Sequence, residues 1–281
     1  MEQTLRPFDP RQEMLRPDFE IFHSRDTTLE AVDLHHHDFY EIYLFLSGQV
    51  EYRVEGSVYQ LNPGDLLLIS PLELHQVVVR SRDSLYERMV LWVGRQYLDH
   101  LQQGGDELSR CFDRGIPGHT NLLRPRDGGE IQELMEQILR ERGAGLYGSE
   151  WYCQGCLLQL LVLLNRLSMG DTGEAGEHSP LVSRVVEYIH DHCQEELRLD
   201  TLAERFHVSK YYLSHQFSQA MGTSVYRYIM LKRLQLAREQ ILGGTPPGKA
   251  ALACGFRDYP NFYRSFVKRY GVSPKNLNCR I

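Results

Sequence analysis

Two stretches decide the reading: residues 209–222, SKYYLSHQFSQAMG, and residues 258–271, DYPNFYRSFVKRYG. Each reads as a short amphipathic helix with a large apolar residue followed one turn later by Phe: Leu213 and Phe217, then Phe262 and Phe266. Each then reaches a Gly and, two residues on, a Ser: Gly222 and Ser224, then Gly271 and Ser273. The offsets within the two copies are the same, so the stretch repeats with a shift of roughly 49 residues. A shorter helical pattern precedes each copy, Leu202-Ala203-Glu204-Arg205-Phe206 and Lys249-Ala250-Ala251-Leu252-Ala253. Helix, turn, helix, twice over, is a tandem helix-turn-helix.

Charge follows the same division. Residues 181–281 hold 15 Lys and Arg against 8 Asp and Glu, while the rest of the 281-residue chain holds 16 against 29. A basic part beside an acidic part points to one half meeting a polyanion. The competing reading is an all-α domain whose basic residues are only solvated. Two units in register, joined by a helix over Ser224–Leu242 that Gly243-Gly244 stops, weigh against it. With Leu213 and Phe217 inward, the outward face is Lys210, Tyr211, Ser214, His215 and Ser218; in the second copy it is Tyr259, Pro260, Tyr263, Arg264 and Val267. Ser209 and Asp258 are expected N-caps. Helix N-termini attract phosphate, and first-turn side chains reach base edges in the major groove, where Arg264 can pair bidentately with guanine.

Ahead of this region, residues 1–18 read as an arm. Short Val-, Ile-, Tyr- and Phe-rich runs at Phe39–Leu46, Gln49–Val54, Val58–Leu61, Asp65–Ile69, Gln76–Val79 and Tyr86–Val93 predict an antiparallel sandwich or barrel. Helices are expected near Gln96–Gln102, over Glu130–Glu141 and over Glu150–Leu167; the last, rich in Leu, is core or a subunit-pairing surface. Cys153 and Cys156 share it and read as packing rather than redox or zinc chemistry. Residues 170–179, GDTGEAGEHS, read as a linker, with Ser179 as the cap and Pro180 in the first turn of the next helix. The domains are therefore placed at 1–169 and 180–281. No run approaches the roughly 18 apolar residues of a membrane span, no secretory leader is apparent, and six scattered Cys suit a reducing cytoplasm.

Leu199-Asp200-Thr201-Leu202-Ala203, Val208-Ser209-x3-Leu213-x3-Phe217, Arg233-Leu234-x2-Ala237 and Ala251-x3-Gly255-Phe256-x5-Phe262-x3-Phe266-x4-Gly271-Val272-Ser273-Pro274 together resemble the C-terminal domain of the AraC/XylS family of transcription regulators. The resemblance implies two recognition helices per monomer. Mapped by position, the family's base-reading sites fall on Tyr211, Ser214 and His215, then on Tyr259, Pro260, Tyr263 and Arg264. This chain departs from the pattern at Pro247 and Ala250, and in its closing Pro274-Lys275-Asn276-Leu277-Asn278.

His35-His36-His37-Asp38-Phe39-Tyr40-Glu41, Gly48, Pro63-Gly64-Asp65, Pro71 and His75 resemble the two motifs of a cupin barrel. The resemblance places His35, His37, Glu41 and His75 where enzymatic cupins hold a divalent metal; here Glu73 stands where Gly is usual. Three readings stay open: a metal site, a metal-free effector pocket, and hydrogen bonds that only shape the sheet. The effector pocket is the reading carried forward, with no cofactor. Its expected lining is His35, His37, Glu41, Tyr43, Tyr52, Arg53, His75 and Trp92, and a small polar molecule such as a sugar its expected occupant.

The expected fold is thus α+β in two domains: an antiparallel cupin-like barrel with helices of its own, then an all-α pair of helix-turn-helix units. The expected function is a cytoplasmic, non-enzymatic, effector-responsive activator that binds double-stranded DNA as a homodimer, with RNA polymerase as a further partner. The alternative is a metal-dependent cupin enzyme or metal sensor fused to a DNA-binding module.

Overall fold

The computed structural model describes residues 13–27, 32–80, 85–102, 105–116, 119–126, 128–170 and 177–280. Residues 1–12 of the expected arm and residues 171–176 of the expected linker lie outside them. The chain divides into two compact units that meet between Glu177 and His178.

The first unit carries strands β1 (Phe19–Asp26), β2 (Phe39–Ser47), β3 (Val50–Val54), β4 (Ser57–Gln60), β5 (Leu66–Ile69), β6 (His75–Val79), β7 (Tyr86–Gly94) and β8 (Leu122–Leu123). One antiparallel sheet runs β1-β7-β2-β5-β8, and a second contains β6-β3-β4. Helices α1 (Arg95–Leu101), α2 (Gly129–Arg142) and α3 (Ser149–Gly170) complete the unit.

Alternation along the strands sorts the apolar residues into two cores. Ile42, Leu44, Leu66, Leu68, Met89, Leu91 and Val93 pack with Ile131, Leu134, Met135 and Ile138 of α2 and with Cys153, Leu157, Leu160, Leu161 and Leu164 of α3. Tyr43, Phe45, Leu67, Ile69 and Tyr86 pack instead with Val50, Tyr52, Val54, Tyr59 and Val77 of the second sheet. The first sheet is therefore buried on both faces, which is why β5 reads Leu-Leu-Leu-Ile without a polar residue. Each such side chain contributes roughly 1.5–3 kcal/mol by leaving water. Cys153 and Cys156 are buried free thiols in the helix-side core, and burial pushes both thiols up.

The second unit is helical: α4 (Pro180–His192), α5 (Leu199–Arg205), α6 (Lys210–Met221), α7 (Val225–Leu242), α8 (Pro247–Ala253) and α9 (Tyr259–Tyr270). Ser209 Oγ accepts from Tyr212 N, Ser224 Oγ from Arg227 N and Asp258 Oδ1 from Asn261 N, so α6, α7 and α9 each start on a side-chain cap. Gly222 and Gly271 end α6 and α9 in the left-handed region. Ser179 is a correction: it occupies the cap position of α4, but its side chain makes no cap hydrogen bond.

The duplication is not uniform. From α5 to α8, and through the turn, the shift is 48 residues: His207 N bonds Glu204 O and Val208 N bonds Ala203 O, matched by Gly255 N to Leu252 O and Phe256 N to Ala251 O. The following helices repeat at 49, because the second turn holds one extra residue before its cap.

Arg233, on α7, ties the two halves together. Its Nε donates to Cys193 O at 2.7 Å and its Nη2 to Glu195 O at 2.6 Å, capping the carbonyls that leave α4. Gly255, at φ +84°, closes the same joint; a Cβ there would lie 2.6 Å from Gln194 O. Among the described residues no helix is long and apolar enough to cross a membrane.

Candidate ligand site and nucleic-acid interface

In the second unit the two capped helices present the sequence-predicted residues outward. Lys210, Tyr211, His215, Tyr259, Pro260, Tyr263 and Arg264 are exposed and Ser214 is half-buried, while Leu213, Phe217, Phe262 and Phe266 are fully buried beneath them. Tyr211 is 81% exposed and stacks along the helix on His215 at 6.2 Å between centroids. Lys210 is already engaged by Asp200 at the start of α5. Arg257, in the longer second turn, pairs with Glu196. The face thus offers hydroxyls, an imidazole, a guanidinium and aromatic edges at two helix N-termini, the donor set that phosphates and base edges meet.

In the first unit the structure gathers His35, His37, Glu41, Tyr43, Tyr52, His75 and Trp92 at the end of the inter-sheet core. Backbone pairing of His35 with His75, and Leu72 N to His37 O at 2.8 Å, draw the His35–His37 segment onto the start of β6. Glu41 follows from β2, with the parity of Tyr43 and Phe45, and Trp92 from β7 with that of Tyr86. Glu41 is clamped on both oxygens: Tyr52 OH donates to Oε1 at 3.2 Å and Trp92 Nε1 to Oε2 at 2.8 Å. His37 Nε2 lies 3.3 Å from Glu41 Oε2.

The three imidazoles share one device. His35 Nδ1 bonds Asp33 O at 2.7 Å, His37 Nδ1 bonds Phe39 O at 2.9 Å and His75 Nδ1 bonds Glu73 O at 2.9 Å. A carbonyl only accepts, so each Nδ1 carries the hydrogen and donates. The Nε2 atom of His75 is buried without a hydrogen-bond partner, and that of His37 faces the Glu41 carboxylate. Burial pushes the Glu41 carboxyl up, but His37, then His75 and His35, outweigh it and hold it at about 2. Burial first, then His35 and His37, drive His75 well below the usual imidazole range.

Two expectations fare differently. Tyr43 joins the cluster from one side, its hydroxyl bonded to Tyr86 OH at 2.6 Å and its ring 5.0 Å from Tyr52. Arg53 does not join. Val50, Tyr52 and Val54 of β3 face the core, so Arg53 points the other way and binds Glu51 Oε1 at 2.6 Å. Sequence reasoning missed Tyr86 as the partner of Tyr43 and Phe39 as the ring stacked on His37 at 3.9 Å between centroids; the parity of Tyr86 with Trp92 on β7 is a signal that leads to the first.

A paired helix-turn-helix unit after a sheet domain with a buried polar cluster defines a DNA-binding regulator with a ligand-sensing domain. Residues 16–150 match the family model described as AraC-like ligand binding domain, and residues 202–279 match that described as Helix-turn-helix domain. The chain belongs to the AraC family of transcriptional regulators. It is 24% identical over 244 residues to the HTH-type transcriptional activator RhaS of Escherichia coli, with 86% of each chain covered. It is 26% identical over 247 residues to RhaS of Salmonella arizonae, again with 86% of each covered. Among solved structures, the C-terminal domain of AraT, a response regulator from Geobacillus stearothermophilus, is 31% identical, covering 37% of this chain and 87% of that one at a TM-score of 0.36.

Proposed function

We propose that this chain is a ligand-controlled activator acting on cytoplasmic DNA, with α6 and α9 reading neighbouring major grooves through Tyr211, Ser214, His215, Tyr259, Pro260, Tyr263 and Arg264. The supporting observation is the duplication itself: two capped helices, each seated on its own buried Leu/Phe or Phe/Phe pair, each turning exposed donors outward. Helices of one duplex-bound monomer then enter the groove about one helical turn apart, ~34–36 Å. The activator role rests on likeness to RhaS, and RNA polymerase is the partner that role requires.

The ligand site of this reading is the cluster of His35, His37, Glu41, Tyr52, His75 and Trp92, whose imidazoles, carboxylate, phenol and indole suit a small polar or charged ligand, a sugar being one class. The exposed stripe of α3, Trp151 (78%), Val162 (36%) and Met169 (66%), opposite its buried Leu face, is the surface offered for homodimer pairing. The deciding experiment is competition binding of the purified chain to the promoter fragment beside its own gene against random duplex, at moderate salt. Selective binding that Tyr211→Ala and Arg264→Ala weaken is the expected result; equal binding to random duplex overturns the reading.

A further inference from the structure

We infer that the ligand sensed by the N-terminal unit is a divalent transition-metal ion, held by His37, Glu41 and His75 with His35 beside them. This rests on the ligand-responsive reading above and departs from the metal-free, sugar-type pocket that the sequence leads one to expect.

The donor atoms are already assembled. One ligand atom from each of His37, Glu41 and His75 lies within 4.8 Å of the others, all three residues being buried. Donors bound at about 2.0–2.1 Å at the corners of a tetrahedron sit roughly 3.4 Å apart, so the widest pair closes by up to about 1.4 Å to complete the set. The His37–Glu41 separation of 3.3 Å already suits two donors on one ion. Two or three imidazoles with one carboxylate select zinc, iron, nickel or cobalt over calcium or magnesium.

The imidazoles are also aimed. A metal-binding His ordinarily donates its far N–H to a carbonyl or carboxylate, which fixes the tautomer and turns the other nitrogen's lone pair toward the ion. His35, His37 and His75 each do so through Nδ1; the buried Nε2 of His75 lacks the hydrogen bond that buried polar atoms ordinarily find, and that of His37 faces the Glu41 carboxylate. Tyr52 and Trp92 hold the Glu41 carboxylate from behind in the same manner, leaving lone pairs for an ion.

The surroundings favour an ion over an organic molecule. His75 is 0% exposed, His37 3%, Tyr52 3% and Trp92 7%. Rings close around the donors: Phe39 stacks on His37 at 3.9 Å, His75 lies 4.1 Å from His35 and 4.8 Å from His37, and Phe39 lies 4.7 Å from Trp92, all between centroids. A sugar ring needs several of these side chains to part; an ion needs only the donors to converge.

The test uses the full chain, stripped with a chelator and dialysed separately against zinc, cobalt, nickel and manganese. Metal per chain is measured by mass spectrometry and cobalt coordination by its visible absorption. The expected result is one ion per chain at micromolar metal, lost in His75→Ala and in Glu41→Gln. Trp92→Phe keeps every donor but frees the carboxylate, and should weaken binding about 10–100-fold. Circular dichroism of each stripped variant separates lost ligation from lost fold, and the Trp92→Phe shift stands if the donor variants do not fold.

Promoter-fragment binding is then compared between loaded and stripped chains, with a change of about fivefold or more expected. Only trace metal, or equal loading of the donor variants, overturns the site. An ion that loads through these residues while DNA affinity responds instead to a monosaccharide panel overturns its role as the sensed ligand. A chain that loads the ion but prefers no promoter fragment in either state sinks the regulatory reading and the ion's signalling role with it, while the metal count stands.

Discussion

Arg264 and Lys210 stand on α9 and α6, the helices proposed to read DNA, yet their surroundings set different expectations. Arg264 is exposed at the second turn of α9, where a bidentate pair with a guanine edge costs about 1–3 kcal/mol of specific binding when removed. Arg264→Ala should therefore weaken the promoter fragment 5- to 150-fold and random duplex far less, read by fluorescence anisotropy. Lys210 already shares its charge with Asp200, so Lys210→Ala should lower affinity for promoter and random duplex alike, and weakly. The cap residues carry a separate, stability-level expectation: Ser209→Ala and Asp258→Ala should each lower unfolding free energy by about 0.5–2 kcal/mol in a urea titration, since each leaves a backbone N–H without its acceptor. Both caps were readable from sequence because capping is local. The Trp92–Glu41 bond was not, since it joins residues 51 apart that only the pairing of β2 with β7 brings level.

Helices, strands and their joints carry the next set of effects. The boundaries of α2 and α3 follow from a 3.6-residue pattern and fall within three residues of the expected ones. Arg53 shows how an element's period overrules a residue's chemistry: a guanidinium suits a polar pocket, but Val50, Tyr52 and Val54 fix the parity of β3 and send it to the other face. Strand β1 escaped separate prediction because Phe19–Asp26 mixes Glu, His, Ser, Arg and Asp into its run, and its partners on β7 lie some seventy residues on. The junction of β1 with α2 is electrostatic. Arg142 Nη2 binds Asp18 Oδ2 at 2.6 Å and Phe19 O at 2.9 Å, and its guanidinium lies over the Phe19 ring. Burial pushes the Asp18 carboxyl up, but hydrogen bonds from Arg16 and Arg142 outweigh it and bring it to about 2. A folded-state value below the unfolded one means the stabilisation is present above about pH 4 and is lost as pH falls toward 2. Asp18→Asn should therefore lower stability at pH 7 by on the order of 1 kcal/mol, discounted for solvent screening. The gap from wild type should close near pH 2 in denaturant titrations. At the joint of the helical unit, Gly255→Ala must relieve both a positive φ and a 2.6 Å approach to Gln194 O. A loss of about 1–3 kcal/mol is expected by thermal melting, with promoter binding falling further than the melting alone explains.

For the molecule as a whole, the charge asymmetry makes a salt prediction. Binding carried by a unit with 15 basic residues against 8 acidic ones should fall steeply and linearly in log–log coordinates with salt, whereas the promoter-over-random ratio should persist. Two domains of different fold class were legible because periodicity changes from 2 to 3.6 along the chain and the helix-turn-helix pattern occurs twice. The one-residue difference between the two turns was hidden: a repeat search anchored on the second helices returns their shift alone. The site was legible as a set of residue types and not as an arrangement, because carbonyl tethers and buried lone pairs belong to geometry that no spacing encodes. Strand β2 then links that geometry to the rest of its unit. Glu41, Tyr43 and Phe45 stand on one side of it, Ile42 and Leu44 on the other against the α2 and α3 core. Close-packed interiors yield little to compression. A ligand that drew Glu41 by a few tenths of an ångström would therefore displace volume behind the strand, beneath α3, making one ribbon of backbone a lever whose short arm is the carboxylate and whose long arm is the Leu-lined helix.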